Sequence, residues 1–282
     1  HYDHLGRSPD GTLLPGADDN ASGVAVLLEV AQRIGSEGPL RRTVVFAAFS
    51  GEEAGTLGAR RYLADPPCPA EQTVAMLNLD TVGRLEQDRL FVFGSATAAE
   101  FPAMLRGVNL AVPVELAMPE SAPFASDQAP FYEKGIPALH FFSGPNADYH
   151  RPGDTEEKIN YEGLLTLLDF VRETTVFLAE REAPPAFIPP GAEKAAAQIQ
   201  ATGPARRVSL GTIPDFERQA GGVLVSGTIP GSPAEAAGIQ KGDVIVALGA
   251  EPVDNLGDFS AALKKRQPGD TVEVVFRRGK EE

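Results

Sequence analysis

The first 180 residues alternate between apolar runs and segments in which apolar residues recur at helical spacing. Residues 23–34 have that helical spacing, and Asn20 or Ser22 can cap the start of the helix. Residues 42–49, RTVVFAAF, lack polar alternation, which predicts a strand covered on both faces. The alternation continues through a helix GTLGARRYLA, strands TVAMLNLD, RLFVFG and PALHFFS, and a long helix YEGLLTLLDFVRETTVFLA. This order predicts a layered α/β domain.

The pattern changes after residue 181. Residues 182–205 are rich in proline and alanine, which predicts a linker with one short helical piece. Residues 206–282 contain short β-type runs broken by glycines, with two short helical segments between them. We therefore predict a large domain at 1–181, a linker at 182–205 and a small β-rich domain at 206–282.

Composition argues against two classes of partner. Of the 282 residues 43% are hydrophobic, but no apolar run approaches the roughly 18 residues that a membrane-spanning helix requires. The formal net charge of −14 argues against a nucleic-acid partner, because phosphate binding needs a basic face. The single cysteine, Cys68, allows no internal disulfide.

Histidines and carboxylates are concentrated in five motifs at the loops where an α/β sheet presents its ligands. The motifs are HYD at 1–3, GADDNASG at 16–23, SGEEAG at 50–55, NLD at 78–80 and DYHRPGDT at 148–155. Each has an ordinary explanation by itself, since paired aspartates before a helix usually cap it and paired glutamates in a turn are usually solvated. Their joint occurrence favours a metal site, and the ligand set suits Zn²⁺, with Co²⁺ or Mn²⁺ as alternatives.

The adjacent Glu52 and Glu53 follow the apolar run at 44–49 after Ser50 and Gly51. Two metal ions that share one carboxylate would use about five protein ligands and leave one carboxylate free to act on water. Such a centre would explain the pair, because one glutamate would bind metal while its neighbour takes the proton.

The motifs HYDHLG, GADDNASG, FSGEEAGTLGARRY, NLDTVGR and YHRPGDT are similar to the successive signatures of the secreted bacterial di-zinc aminopeptidases. That family has glutamate carboxypeptidase and glutaminyl cyclase relatives, and the resemblance covers about residues 1–180. It implies a mixed, mostly parallel central sheet flanked by helices. It also implies two Zn²⁺ ions, one bound by His1, Asp19 and Asp80 and the other by Glu53 and His150, with Asp19 bridging them.

Further roles follow from the same resemblance. Glu52 matches the general base, and Tyr149 matches a residue that helps to stabilise the oxyanion. Asp3 matches an acid that orients the imidazole of His1. Ser126 and Asp127 either line the substrate pocket or cap a short helix.

Three polar residues remain outside these roles. His4 has no partner motif and is expected at the surface or behind the ligands. His140 lies within an apolar strand and is expected to be a core histidine. The role of Arg84, in the motif TVGR, stays open, and an ion pair at a helix start would explain it equally well.

The resemblance favours a metal-dependent aminopeptidase that hydrolyses N-terminal residues from peptides through a hydroxide activated by two zinc ions. A single-zinc acyltransferase of the glutaminyl cyclase type is a second hypothesis, although all five metal ligands of the two-zinc site are present. A non-catalytic peptide-binding protein is a third. The sequence leaves open whether an exopeptidase would act at the amino or the carboxyl end. The resemblance alone implies a secreted, periplasmic or cell-surface bacterial location.

The C-terminal segment resembles a PDZ domain of the bacterial, protease-associated type, on the motifs SLGTIPDF, GSPAEAAGIQKGDVIVALG and NLGDFSAALKKRQPGDTVEVVFRRG. By this resemblance, the backbone amides of Leu210 and Gly211 would receive the C-terminal carboxylate of a peptide. The peptide would add a strand beside the helix at 258–265. A PDZ-like fold used only for packing is the alternative.

Both resemblances imply additional strands, before His1 and after the motif FRRG. We therefore expect the chain to be a fragment at both ends, and the metal nearest His1 to be held weakly because that residue lacks a preceding strand.

Overall fold

The computed structural model describes residues 1–86, 88–119, 126–189, 208–215 and 221–279. These residues form two compact units. One unit comprises His1–Gly144 and Asp148–Pro189, and the other comprises Pro145–Ala147 with the described residues from 208 onward. The predicted linker at 182–205 lies outside the described residues from position 190, so its boundaries stay a prediction.

The first unit is built on a four-stranded sheet. Its strands are β1 (Met76–Leu79), β2 (Arg89–Phe93), β3 (Glu115–Ala117) and β4 (Ala138–Phe142), in the order β1-β4-β2-β3. β1 pairs with β4 and β2 with β3 in parallel, whereas β2 and β4 run antiparallel. The sheet is therefore mixed with a parallel majority, and the α/β fold class is confirmed.

Helices surround this sheet. They are α1 (Gly23–Glu37), α2 (Leu57–Ala64), α3 (Phe101–Ala111), α4 (Gln128–Glu133) and α5 (Tyr161–Glu180). α1 buries Val26, Val30 and Ile34, which recur every four residues and so share one face. These side chains join apolar groups of the sheet, α3 and α5 in one core cluster, and each such burial is worth about 1.5–3 kcal/mol.

The predicted strand at 42–49 is wrong for the described part of the chain, because residues 43–49 belong to no strand. Its apolar side chains instead line a cavity of about 200 Å³ shared with α1, α5 and β1. Val45 and Phe46 remain 48% and 36% exposed. A strand is defined by hydrogen bonds to a neighbour, and apolar composition alone does not supply that neighbour.

The second unit is β-rich, as predicted. Its elements are β5 (Thr212–Pro214), β6 (Val223–Thr228), α6 (Pro233–Ala236), β7 (Val244–Leu248), β8 (Glu251–Pro252), α7 (Leu256–Lys264) and β9 (Val274–Arg277). The strands are antiparallel in the order β5-β6-β7-β8, with β9 also on β7. Val225, Ile245, Leu248 and Phe259 are among the residues of its separate core.

None of the described helices is long and apolar enough to cross a bilayer.

Candidate metal centre

The site is organised around Asp19, which lies in the turn Ala17–Ser22 immediately before α1 and is only 2% exposed. The backbone N–H of Asp18 donates to Asp154 Oδ1 at 2.9 Å, and that of Asp19 donates to Oδ2 at 3.0 Å. On the other side, Asn20 Nδ2 donates to a carbonyl at the end of β1 at 2.8 Å. Hydrogen bonds therefore hold the turn from two sides. One carboxylate oxygen of Asp19 faces His1 and the other faces His150.

The first cluster contains His1, Asp19 and Asp80. The Nε2 atom of His1 lies 3.4 Å from Asp19 Oδ1 and 3.3 Å from Asp80 Oδ1. Glu52 Oε2 is 3.9 Å from the same nitrogen. Burial opposes the charged form of His1, but the hydrogen bond and charge of Asp80, with the charges of Glu52 and Asp19, raise its pKa to about 11. The structure thus brings together the three predicted ligands of one metal and the predicted base.

The second cluster contains Asp19, Glu53 and His150. The Nε2 atom of His150 lies 3.0 Å from Asp19 Oδ2 and 3.2 Å from Glu53 Oε2. His150 has a positive φ of 58°, which is uncommon for a residue other than glycine. The predicted ligands of the second metal are therefore also together, and Asp19 lies between the two clusters with a different oxygen facing each.

Glu52 and Glu53 face different clusters although they are adjacent in the chain. Burial and the charge of Asp80 raise the pKa of Glu52 to about 9. Burial acts in the same direction at Glu53, but the close contacts and positive charge of His150 and His4 lower its pKa to about 2. Neighbouring carboxyl groups with pKa values moved apart are typical of sites in which the two acids have different roles.

Asp3 holds the backbone of the glutamate turn. Its carboxylate oxygens accept from the N–H groups of Glu52 at 3.2 Å and Glu53 at 3.4 Å. The Nδ1 atom of His1 is 3.7 Å from the Asp3 carboxylate and 3.1 Å from the Asp3 carbonyl oxygen. The predicted role of Asp3 in orienting His1 stays a prediction. The structure adds the contacts of Asp3 with the backbone of Glu52 and Glu53.

Tyr149 lies beside the second cluster. Its ring stacks on that of His150 with the centroids 3.8 Å apart and the planes inclined by 21°. Tyr149 is 45% exposed, whereas the carboxylates nearby are mostly buried. Tyr149 is therefore partly exposed beside the buried ligands of the second cluster.

Ser126 and Asp127 lie in the interior just before α4. Ser126 Oγ donates to Asp80 Oδ2 at 2.7 Å and accepts from Asn78 Nδ2 at 2.9 Å. Asp127 is fully buried, and this burial raises its pKa to about 7. Neither side chain caps α4. Ser126 supports a predicted ligand, and the substrate-pocket role of the pair stays a prediction.

Arg84 joins the loops that carry the ligands. Its Nη1 donates to Asp148 Oδ2 at 2.6 Å, and its Nη2 donates to Asp154 Oδ1 at 3.0 Å. Its Nε lies 3.6 Å from Asp18 Oδ2. The guanidinium thus links the turn before α1 with the loop that carries His150. The sequence left this role open, although both partner aspartates stand within the motif DYHRPGDT.

His4 is the second residue whose place the sequence left open, between the surface and a position behind the ligands. It is not a surface side chain, since its ring is 10% exposed and its Nδ1 lies 2.9 Å from Glu53 Oε1. The one available signal was its spacing three residues after His1. His140, by contrast, is a core histidine as expected: it is buried in β4 and lies 3.2 Å from Gln128 Nε2 through its Nδ1.

The donor atoms of both clusters fit metal ions. His1, Asp19 and Asp80 offer ligand atoms within 4.8 Å of one another, and so do His4, Asp19 and Glu53. Several of these atoms are buried without a well-aligned hydrogen bond in the described part of the chain: Asp19 Oδ2, Glu53 Oε1, His4 Nδ1 and His150 Nε2. Buried polar atoms are normally satisfied, so their convergence indicates a place for a cation. Imidazole with carboxylate is a donor set that suits zinc.

In the second unit, Leu210 and Gly211 lie immediately before β5. Gly211 has a φ of +77°, and a Cβ there would lie 2.2 Å from Ser232 Cβ, so only glycine fits. Its N–H donates to Ser209 Oγ at 3.0 Å. Their predicted role as a carboxylate loop stays a prediction.

Comparison with known proteins identifies both segments. The profile of peptidase family M28 matches residues 1–175, which is more than half of the chain. The chain belongs to peptidase family M28. A PDZ domain profile matches residues 208–282. Each assignment agrees with the resemblance of the corresponding sequence motifs.

Individual M28-type relatives are aminopeptidases by name. Aminopeptidase YwaD of Bacillus subtilis is 28% identical over 199 residues, which cover 67% of this chain and 42% of that protein. Among solved structures, a zinc aminopeptidase from Bacillus subtilis is 28% identical with a TM-score of 0.54, covering 61% of this chain and 45% of the other. An aminopeptidase from Aneurinibacillus sp. strain AM-1 is 30% identical with a TM-score of 0.53, covering 62% and 42%. The chain spans less than half the length of these relatives.

Proposed function

We propose that this protein is a zinc-dependent aminopeptidase that removes N-terminal residues from peptides and holds two zinc ions. The observation that carries the proposal is the position of Asp19, whose two oxygens face His1 at 3.4 Å and His150 at 3.0 Å. One carboxylate shared by two clusters of histidine and acid is the arrangement that a two-metal hydrolase requires. The named aminopeptidases among its relatives support the same reading.

The bound zinc ions would supply Lewis-acid polarisation of the scissile carbonyl and a lower pKa for the attacking water. Glu52, beside the first cluster, takes the proton from that water and returns it to the leaving amine. The phenol of Tyr149, beside the second cluster, donates a hydrogen bond to the oxygen that becomes negative in the transition state. Ser126 and Asp3 keep Asp80 and the glutamate turn in position.

The test compares leucine p-nitroanilide with its N-acetylated form, using the 282-residue protein loaded with zinc. We expect hydrolysis of the free amine only, since an aminopeptidase must recognise the unblocked terminus. The Glu52→Gln variant is the control for contaminating peptidases. Equal rates on both substrates, or release of residues from the carboxyl end of a peptide, would contradict the proposal.

We propose in addition that the PDZ unit binds the C-terminus of a peptide along β5. The positive φ of Gly211 supports a tight loop at the start of that strand. Among the described strands β5 is at the end of its sheet, and a strand at a sheet edge can pair with an added peptide strand. Binding of a labelled peptide library with free or amidated C-termini tests this, and equal binding of the two forms would contradict it.

A further inference from the structure

His4 lies among the ligands of the second cluster. Its Nδ1 is 2.9 Å from Glu53 Oε1 and 3.8 Å from Asp19 Oδ2. Its ring meets that of His150 edge-on, with the centroids 5.7 Å apart and an angle of 73°. The imidazole therefore faces the same point as the other three side chains.

Four atoms converge at this point without satisfying one another. They are His4 Nδ1, Asp19 Oδ2, Glu53 Oε1 and His150 Nε2, and none has a well-aligned hydrogen bond within the described residues. The short contact between His4 and Glu53 thus lacks the direction of a hydrogen bond. Buried nitrogen and oxygen atoms that lie close together without hydrogen-bonding to one another are expected where a bound cation satisfies them.

The backbone makes room for this ring at Gly16. A Cβ on Gly16 would lie 2.7 Å from His4 Cγ and 2.9 Å from His4 Cδ2, closer than real contacts allow. Gly16 also has a φ of +71°, which other residues rarely adopt. The imidazole is consequently held by close packing against the turn that carries Asp19.

We propose that His4 is a ligand, through Nδ1, of the metal held by Glu53 and His150. The inference rests on the metal centre proposed above and adds a residue to it. This metal would have four protein ligands: His4, His150, Glu53 and Asp19. The other would have three, namely His1, Asp80 and Asp19.

The unequal ligand numbers give the two metals different tasks. Four protein ligands complete a tetrahedral zinc site, whereas three leave a coordination position open. An open position would then belong to the metal of the first cluster, where Glu52 Oε2 lies 3.9 Å from His1 Nε2. We therefore expect the site of His4 to fill first and to hold its metal more tightly.

The decisive experiment replaces His4 by cysteine and titrates the metal-free protein with Co²⁺. Cys68 is the only natural cysteine and is exposed, so the measurement uses a Cys68→Ser background. With His4→Cys we expect an intense near-ultraviolet thiolate-to-cobalt absorption that saturates with the first equivalent of Co²⁺. The background protein and a Leu5→Cys control, at a neighbouring position that is 40% exposed, should lack this absorption.

A second comparison separates ligation from hydrogen bonding. His4→Asn can still donate a hydrogen bond to Glu53 but is a poor zinc ligand, and His4→Ala can do neither. If His4 is a ligand, both variants should lose Co²⁺ affinity at the tighter site. The loss should exceed the roughly 10–100-fold that is typical when a residue behind a ligand is removed. Circular dichroism of the metal-free variants checks that they fold.

Two outcomes would overturn the proposal. Full Co²⁺ occupancy of His4→Cys without the thiolate absorption, together with wild-type affinity in His4→Asn, would mean that His4 only positions Glu53. That result would leave the proposed function intact. Failure of the background protein to bind any Co²⁺ would instead remove the metal centre, and the proposed function with it.

Discussion

Asp154 accepts hydrogen bonds from the backbone N–H groups of both Asp18 and Asp19, at 2.9 and 3.0 Å. This contact joins the loop after His150 to the turn that carries the shared ligand, although the two are 135 residues apart in sequence. Asp154 is 1% exposed and is itself paired with Arg84. A buried ion network therefore fastens the turn that carries Asp19 to the loop that carries His150.

Arg84→Met should destabilise the metal-free protein by about 3–5 kcal/mol, because it leaves buried carboxylates without a counter-charge. Arg84→Lys should recover part of this loss, since it restores charge but not the forked geometry that reaches Asp148 and Asp154 together. Urea unfolding followed by circular dichroism measures both. Arg61→Met is the matched control, because its ion pair with Asp65 is exposed. Equal stability of the Arg84→Met and Arg61→Met variants would contradict this prediction.

Glu52→Gln and Glu53→Gln should fail in different ways. Glu52→Gln keeps size and polarity but cannot accept the proton, so both metals should stay bound while kcat falls by about 10²–10⁴-fold. Glu53→Gln weakens a charged ligand, so metal should be lost first and activity with it. Metal analysis and kinetics with and without excess zinc separate the two. Rescue of Glu52→Gln by zinc, or equal metal loss in both variants, would refute the division of labour.

Ser126→Ala removes the hydroxyl that donates to Asp80 Oδ2 at 2.7 Å. A partner behind a ligand typically contributes about 10–100-fold to metal affinity or activity, and we expect a loss in this range at the first cluster. Ser36→Ala is the control, since the Ser36 hydroxyl donates to the Arg33 carbonyl oxygen within the end of α1. Competition with a chromogenic zinc chelator measures the affinities. Unchanged affinity in Ser126→Ala would show that Asp80 needs no support.

Complete removal of metal by a strong chelator should abolish hydrolysis, and zinc should restore it. The reason is that the convergent carboxylates repel one another and have no hydrolytic power without a cation. The measurement is the rate on leucine p-nitroanilide after verified metal removal, and then after stepwise addition of Zn²⁺ or Co²⁺. Full rate in the metal-free protein would end the two-metal interpretation.

The PDZ unit should lose stability at acid pH through Asp243. Arg278 donates to both oxygens of this buried carboxylate at 2.7 Å, which lowers its pKa below the ordinary value. A group with a lowered folded-state pKa stabilises above the unfolded pKa, near 3.9, and loses that contribution as pH falls through the folded value. Calorimetric unfolding between pH 6 and pH 2.5 should show this loss, and Arg278→Met should reduce it. An identical pH profile in Arg278→Met would contradict the assignment.

Local chemistry was sufficient for much of this protein. Helical spacing predicted α1 and α5. The change in composition after residue 181, from long apolar segments to short β-type runs broken by glycines, predicted a separate β-rich unit. The resemblance of the motifs to a known family also implied the five candidate ligands and the roles of the glutamate pair, and the structure brings these side chains together. The strand at 42–49 shows the limit of this reasoning, since its apolar pattern could not supply a hydrogen-bonded neighbour.

Only the tertiary structure decided which groups meet across the chain. The spacing of His4 after His1 did not show that its ring would reach Glu53, because that contact depends on how closely Gly16 lets the ring approach. Arg84 likewise has no local signal, since its partners Asp148 and Asp154 lie at least 64 residues away. Side-chain identity therefore determined the kind of chemistry, whereas long-range packing decided which residues take part in it.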